Sequence, residues 1–215
     1  MEKHYLTISK TARFFTLGEL NQNTTHIWLV IHGYAQSAEE FISCFEGLGS
    51  NHFIIAPEGL NKFYSRGFTG KPVASWMTSL ERDHEISDYC NYLESLVQGL
   101  ALSNFAGAQV IALGFSQGVS TLTRFINSTR FEPNFQILVA GEIAKEFQEN
   151  LPQKIAQLKS LYLVGTKENL IQPESIDRQK KCLSEANCSF KTFEGKHEVN
   201  GAALEQTLMF IEEKS

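Results

Sequence analysis

The sequence predicts an α/β fold in which a mostly parallel central sheet carries helices on both faces. Three observations lead there. The runs His26-Ile27-Trp28-Leu29-Val30-Ile31 and His52-Phe53-Ile54-Ile55-Ala56-Pro57 are apolar on both sides of an extended chain, as expected of strands buried between helices. From Ile27 to the end such runs alternate with helical patterns, and right-handed crossovers then gather the connecting loops at the strands' carboxyl ends. Finally, Gln109-Val110-Ile111-Ala112-Leu113 stops at a glycine, turns through Gly114-Phe115-Ser116-Gln117-Gly118 and continues as a helix in Val119-Ser120-Thr121-Leu122-Thr123-Arg124-Phe125.

The elements follow in order. Tyr5-Leu6-Thr7-Ile8-Ser9 and Ala12-Arg13-Phe14-Phe15-Thr16-Leu17 alternate in polarity and predict an antiparallel N-terminal hairpin. The strand from His26 ends in His32-Gly33-Tyr34-Ala35-Gln36-Ser37, a loop leading to a helix over 38–48, and Pro57 ends the next strand. The stretch 58–82 is too rich in glycine and aromatic residues to be one element. It predicts a long loop that covers the site as an apolar wall, with Phe63, Tyr64, Trp76 and Met77 against the substrate. A helix over 83–97 places Ile86, Tyr89, Cys90, Leu93, Leu96 and Val97 on one side; Asp83, Glu85 and Asp88 suit its positive end rather than a metal. Beyond the serine turn come strands at Gln136-Ile137-Leu138-Val139-Ala140-Gly141, Ser160-Leu161-Tyr162-Leu163-Val164-Gly165 and Ser189-Phe190-Lys191-Thr192-Phe193. Helices around 150–158, over 173–186 and over 201–214 alternate with them.

A chain of 215 residues, 42% hydrophobic and 20% charged, has the size of one domain spanning 1–215. Its net charge of −5 argues against a nucleic-acid partner. No run approaches the roughly 20 apolar residues that span a bilayer, and Met1-Glu2-Lys3-His4-Tyr5-Leu6-Thr7 lacks the apolar core of a secretion signal, so a cytoplasmic monomer or homodimer is expected. Cys44, Cys90, Cys182 and Cys188 contain no C-x-x-C pair and read as reduced thiols without catalytic or metal roles.

The chemistry centres on Ser116. In a G-x-S-x-G strand–turn–helix the serine is pushed above the sheet, next to the positive end of a helix. A serine hydroxyl at neutral pH needs an imidazole to take its proton and return it to the leaving group, and a carboxylate to orient that imidazole. Two downstream loops supply these groups: Glu168 in Gly165-Thr166-Lys167-Glu168 and His197 in Glu194-Gly195-Lys196-His197. Glu142, after the preceding strand, is the alternative acid. The Tyr34 backbone N–H, after His32-Gly33, is the candidate oxyanion donor, with the His32 side chain pinning that loop. No metal or cofactor is needed.

These motifs resemble the α/β-hydrolases, and within them the phospholipase/carboxylesterase group that includes acyl-protein thioesterases. His32-Gly33, Pro57-Glu58-Gly59, Gly114-Phe115-Ser116-Gln117-Gly118, Gly165-Thr166-Lys167-Glu168 and His197 carry the resemblance along nearly the whole chain. It implies an oxyanion hole formed by the N–H groups of Tyr34 and Gln117, and Trp76 near the acyl site. It also implies a serine hydrolase acting through an acyl-enzyme on carboxylic esters with an apolar acyl group, thioesters and lysophospholipids included. The chain departs from the group at three places: Glu168 where Gly-Thr-x-Asp is usual, Tyr34-Ala35-Gln36 where the loop often reads Leu-Gly-Asp, and Met77-Thr78 where Trp is usually followed by Phe-Asp. Acyl transfer or amide cleavage would use the same residues, and a ligand-binding protein would keep the scaffold without turnover.

Overall fold

The computed structural model describes residues 1–105 and 107–215. The first half contains β1 (Phe14–Leu17), β2 (His26–Ile31), α1 (Ala38–Ile42), β3 (His52–Pro57), β4 (Asn61–Arg66), β5 (Thr69–Ser75) and α2 (Arg82–Gly99). The second contains β6 (Gln109–Phe115), α3 (Gln117–Ser128), β7 (Phe135–Val139), α4 (Gln153–Gln157), β8 (Lys159–Gly165), α5 (Pro173–Cys182), β9 (Cys188–Phe193) and α6 (Gly201–Lys214). Seven strands form one sheet in the order β1-β3-β2-β6-β7-β8-β9, parallel throughout except for β1. The strand order reverses direction beside β2 and β6. Pairings Ile31↔Gly114, Phe115↔Val139 and Gly165↔Phe193 bring the carboxyl ends of these strands level, so the loops beyond them share one edge.

Alternation along the central strands builds two apolar layers. Trp28 and Val30 face α1 and α6, packing with Phe41, Ile42, Leu204 and Phe210. Ile27, Leu29 and Ile31 face α2 and α3, packing with Tyr89, Leu93, Leu122 and Phe125. Because both faces are covered, β2 and β3 have no polar alternation.

Three sequence expectations change. The N-terminal hairpin is a single strand: Phe14–Leu17 adds antiparallel to the β3 edge, while Tyr5–Ser9 region side chains stay exposed, Leu6 at 86% and Ile8 at 74%. An alternating pattern makes a strand only where a neighbouring strand pairs with it; Tyr5 instead leans on the start of α2, its ring 4.4 Å from that of His84 and its hydroxyl donating to Glu81 at 2.6 Å. The stretch 58–82 is not a loop but mainly an antiparallel ribbon, β4 and β5, with Phe63 opposite Val73 and a turn at Gly67 in the left-handed region (φ +65°). The ribbon docks on the loop after β2 through Ala35 N–H to Ala74 O and Ala74 N–H to Gln36 O, both 2.9 Å. The helix expected over 38–48 ends at Ile42 and passes into a 3₁₀ turn, Ser43–Phe45, since glycines at 47 and 49 withdraw helical support.

At the amino ends of β2 and β3, His52 accepts a 2.9 Å hydrogen bond from Trp28 Nε1 and stacks on His26. Burial first, and then the neighbouring His26, lower the His52 pKa from its usual 6.5 to about 4. The unfolded chain therefore binds a proton more readily than the folded one between those values, and stability falls as pH drops through that window. His52→Gln keeps an acceptor for Trp28 without the titration. Its urea midpoint should change less between pH 6.5 and 4.5 than that of the parent chain; an equal change would remove His52 from the acid response.

Candidate active site

The turn between β6 and α3 is set by a close approach of backbone to backbone. A Cβ on Gly118 would lie 2.2 Å from the Ile31 carbonyl oxygen, so only glycine lets α3 start this near β2. Ser116 accordingly takes φ 53° and ψ −118°, a strained conformation for a residue with a Cβ, held by its N–H donating to Val139 O at 3.0 Å. Its hydroxyl makes no capping bond to α3. It meets His197 instead, Oγ lying 3.0 Å from Nε2.

The other ring nitrogen of His197, Nδ1, is 2.9 Å from Glu168 Oε2. Glu168 is almost fully enclosed, and its second oxygen accepts from the N–H groups of Asn169 (2.9 Å), Leu170 (2.7 Å) and Ile171 (3.2 Å). Burial would raise its pKa, but the Leu170 N–H, His197 and the Ile171 N–H together outweigh it and keep the carboxyl below its usual value. The loops after β8 and β9 are tied directly, Thr166 N–H to Phe193 O and Lys167 N–H to Gly195 O, each 2.8 Å. Glu142, the alternative acid, points elsewhere, to Gln148 Nε2 at 3.2 Å and Arg178 at 3.6 Å.

Two backbone amides lie on the segments that flank Ser116: Tyr34 follows Gly33, where an added Cβ would come 3.1 Å from the Ser116 Cβ, and Gln117 opens α3. Among the described residues neither the Tyr34 N–H nor the Gln117 N–H has a protein acceptor. The loop that presents Tyr34 is braced by His32, whose Nε2 accepts from Gly59 N–H at 3.0 Å while Nδ1 sits 2.7 Å from Gly33 O. Full burial lowers the His32 pKa and favours this neutral, doubly bonded ring. Gln36, marked in the sequence only as a departure from the group's loop, accepts from Gly33 N–H through its side chain. The Gln117 side chain holds the segment after β5, accepting from Trp76 N–H (3.1 Å) and donating to Met77 O (2.9 Å).

Trp76 is therefore a framework residue: fully buried, it donates to His32 O at 2.9 Å and packs on Tyr89. The cleft that opens beside Ser116, about 590 Å³, is not walled by Phe63, Tyr64, Trp76 or Met77. Pairing within the ribbon turns Tyr64 outward and sets Phe63 against Tyr34, ring centroids 5.4 Å apart and tilted, so Phe63 flanks the loop of Tyr34 instead. Arg66 lies exposed near the ribbon's tip. Ser120, Arg124, Glu142, Ile143, Lys145, Gln148, Ile171 and Arg178 line the cleft with Ser116 and Gln117. The sequence carried one sign of this wall: Ser116, Ser120 and Arg124 are spaced four apart, on one face of α3.

A family model for serine hydrolases (FSH1) matches residues 22–207. The chain belongs to that family. Solved structures similar to this serine hydrolase include esterase PE8, with a TM-score of 0.72, 16% identity and coverage of 96% of this chain and 100% of that one. Zea mays acyl-protein thioesterase 2 aligns with a TM-score of 0.69 at 15% identity over 95% and 99% of the two chains. A Bacillus cereus carboxylesterase gives 0.62 at 12% identity over 95% of each. Comparison with curated proteins returns no match. The fold is that of the α/β-hydrolases, with the antiparallel ribbon as an addition beside the sheet.

Among the described residues of the hydrolase no three His, Cys, Asp or Glu side chains gather as a metal site, and no helix is long and apolar enough to cross a membrane. Since the Gly118–Ile31 approach sets the serine turn, Gly118→Ala should cost about 2–3 kcal/mol of stability by overpacking. Denaturant unfolding measures it; a loss below 1 kcal/mol would mean that α3 shifts freely.

Proposed function

We propose that this hydrolase cleaves carboxylic esters, thioesters among them, through an acyl-enzyme on Ser116. The observation that carries the reading is the continuous relay from Ser116 Oγ to His197 Nε2 and from Nδ1 to Glu168, at 3.0 and 2.9 Å. With Glu168 ionised and accepting from Nδ1–H, Nε2 is the free base that faces the hydroxyl. As Oγ attacks the carbonyl carbon, its proton passes to Nε2 and the carbonyl oxygen becomes an oxyanion. The Tyr34 and Gln117 N–H groups, one from each side of the turn, stabilise it. Collapse expels the alcohol or thiol with the proton from Nε2. Water then attacks the acyl-enzyme by the same steps and frees the acid.

Esterase, carboxylesterase and thioesterase names among the structural neighbours support this reaction class. All four cysteines are free, which suits the reducing cytoplasm. The loop-to-loop ties and the enclosure of Glu168 favour it over Glu142 as the orienting acid.

Hydrolysis of p-nitrophenyl esters from acetate to laurate tests the proposal. Ser116→Ala and His197→Ala should lower kcat by about 10⁴–10⁶-fold, and a fluorophosphonate should label the parent but not Ser116→Ala. Turnover surviving in Ser116→Ala would overturn the assignment. Glu168→Gln should lower kcat by about 10³–10⁴-fold, whereas Glu142→Gln should retain most activity; the opposite ranking would move the acid to the loop after β7.

A further inference from the structure

The cleft beside Ser116 has a charge opposite to that of the protein. The chain carries −5 overall. Yet the cleft's lining holds three cations, Arg124, Lys145 and Arg178, against a single carboxylate, Glu142. Arg124 is buried and already committed: Glu146 takes it bidentately at 2.7 and 3.2 Å, and Tyr89 Oη lies 3.5 Å away. The other two are less committed. Lys145 forms no ion pair among the described residues. Arg178 reaches Glu142 only at 3.6 Å, longer than a hydrogen bond, and spends one donor on Ser175 Oγ at 2.7 Å. A guanidinium with open donors, an ammonium, the Ser120 hydroxyl and the Gln148 amide thus surround a space that begins at the reacting oxygen.

The walls also indicate which part of an ester lies there. His197, toward whose Nε2 the leaving group must depart, is not among them. The aromatic pair Tyr34 and Phe63 stands on the loop of the other oxyanion amide. Ile171, half-buried, supplies apolar surface for a short methylene chain over the buried Ile143, and two of the cations come from the 3₁₀ turn Lys145–Phe147 and α5.

We propose that this cleft is the acyl subsite and that it selects esters whose acyl group ends in a carboxylate, bound by Arg178 and Lys145. The proposal rests on Ser116 being the nucleophile. Hydrolysis of such a monoester consumes one water, releases the alcohol with the proton carried by His197, and leaves a dicarboxylate. A guanidinium fork and a point charge suit a terminal carboxylate better than a neutral alkyl end, which would strip their water without replacing it.

The test compares kcat/KM for mono-p-nitrophenyl glutarate and p-nitrophenyl pentanoate, which share a leaving group and acyl length. The parent should favour the glutarate ester by about tenfold or more, from charge-assisted hydrogen bonding. Added salt should shrink that ratio, and Arg178→Glu should abolish or invert it. Arg178 is half-exposed, and a melting curve verifies that the variant folds. Equal or better use of pentanoate, or a ratio that ignores Arg178→Glu, overturns the proposal. So does a preference for a carboxylate on the alcohol side, read with para-carboxyphenyl acetate against phenyl acetate. If neither acyl ester is turned over, the hydrolase reading has failed separately. Calorimetry with glutarate then decides the cleft: saturable binding lost in Arg178→Glu supports an anion site, and absence of binding overturns it.

Discussion

The distance between α3 and β2 governs the rest of this site. Gly118 lies so close to the Ile31 carbonyl that the chain between β6 and α3 has only a tight route, and Ser116 occupies its strained corner. Strain of this kind persists only when the surroundings fix it. Here the fixing groups are the buried Phe115 ring below, the Val139 carbonyl that takes the Ser116 N–H, and the two apolar layers that clamp β6 between β2 and β7. The sheet thus delivers the hydroxyl at a defined height above its edge, and the loops after β8 and β9 need only meet it there.

Those loops meet it with a glutamate rather than an aspartate. The longer side chain is compensated by anchoring: three consecutive backbone N–H groups of Glu168's own loop hold one oxygen, leaving the other for His197. The extra methylene therefore adds reach without adding freedom. The same bonds keep the carboxyl ionised despite burial, so the imidazole faces a fixed negative partner throughout.

The sheet and the convergence of Ser116, Glu168 and His197 were legible because both rest on local signals. Strands buried on both faces announce themselves by unbroken apolar runs, and the G-x-S-x-G turn and the loops after β8 and β9 each lie at a strand end. What was hidden depends on pairing between distant segments. Residues 58–82 contain few alternating apolar positions, because the ribbon is held by backbone bonds and exposes one face nearly throughout. Tyr5–Ser9 show the converse, a strand-like pattern that meets side chains at the start of α2 through Tyr5 and pairs with no strand among the described residues. Trp76 looked like a substrate wall since aromatic residues near a site usually are; its Nε1 bond to the His32 carbonyl is invisible before folding. The cations of the cleft come from three elements far apart in sequence, and only Arg124 shared a detectable face with the serine.

The ribbon has a further meaning. At its base, Ala74 accepts from the Ala35 N–H and donates to the Gln36 carbonyl, and just beyond β5 the backbone of Trp76 and Met77 is grasped by the Gln117 side chain. The segments that carry the Tyr34 and Gln117 amides are thus stitched to one another through the same short stretch of extended chain. At the far end Phe68 stands wholly in solvent. Root and tip answer to different demands: the root acts as a tie-bar between the loop of Tyr34 and the start of α3, whereas the tip takes no part in those bonds. Insertions, graftings or new recognition surfaces at the tip are compatible with an unaltered catalytic frame, and this makes the ribbon a natural place for the protein's selectivity to be rewritten.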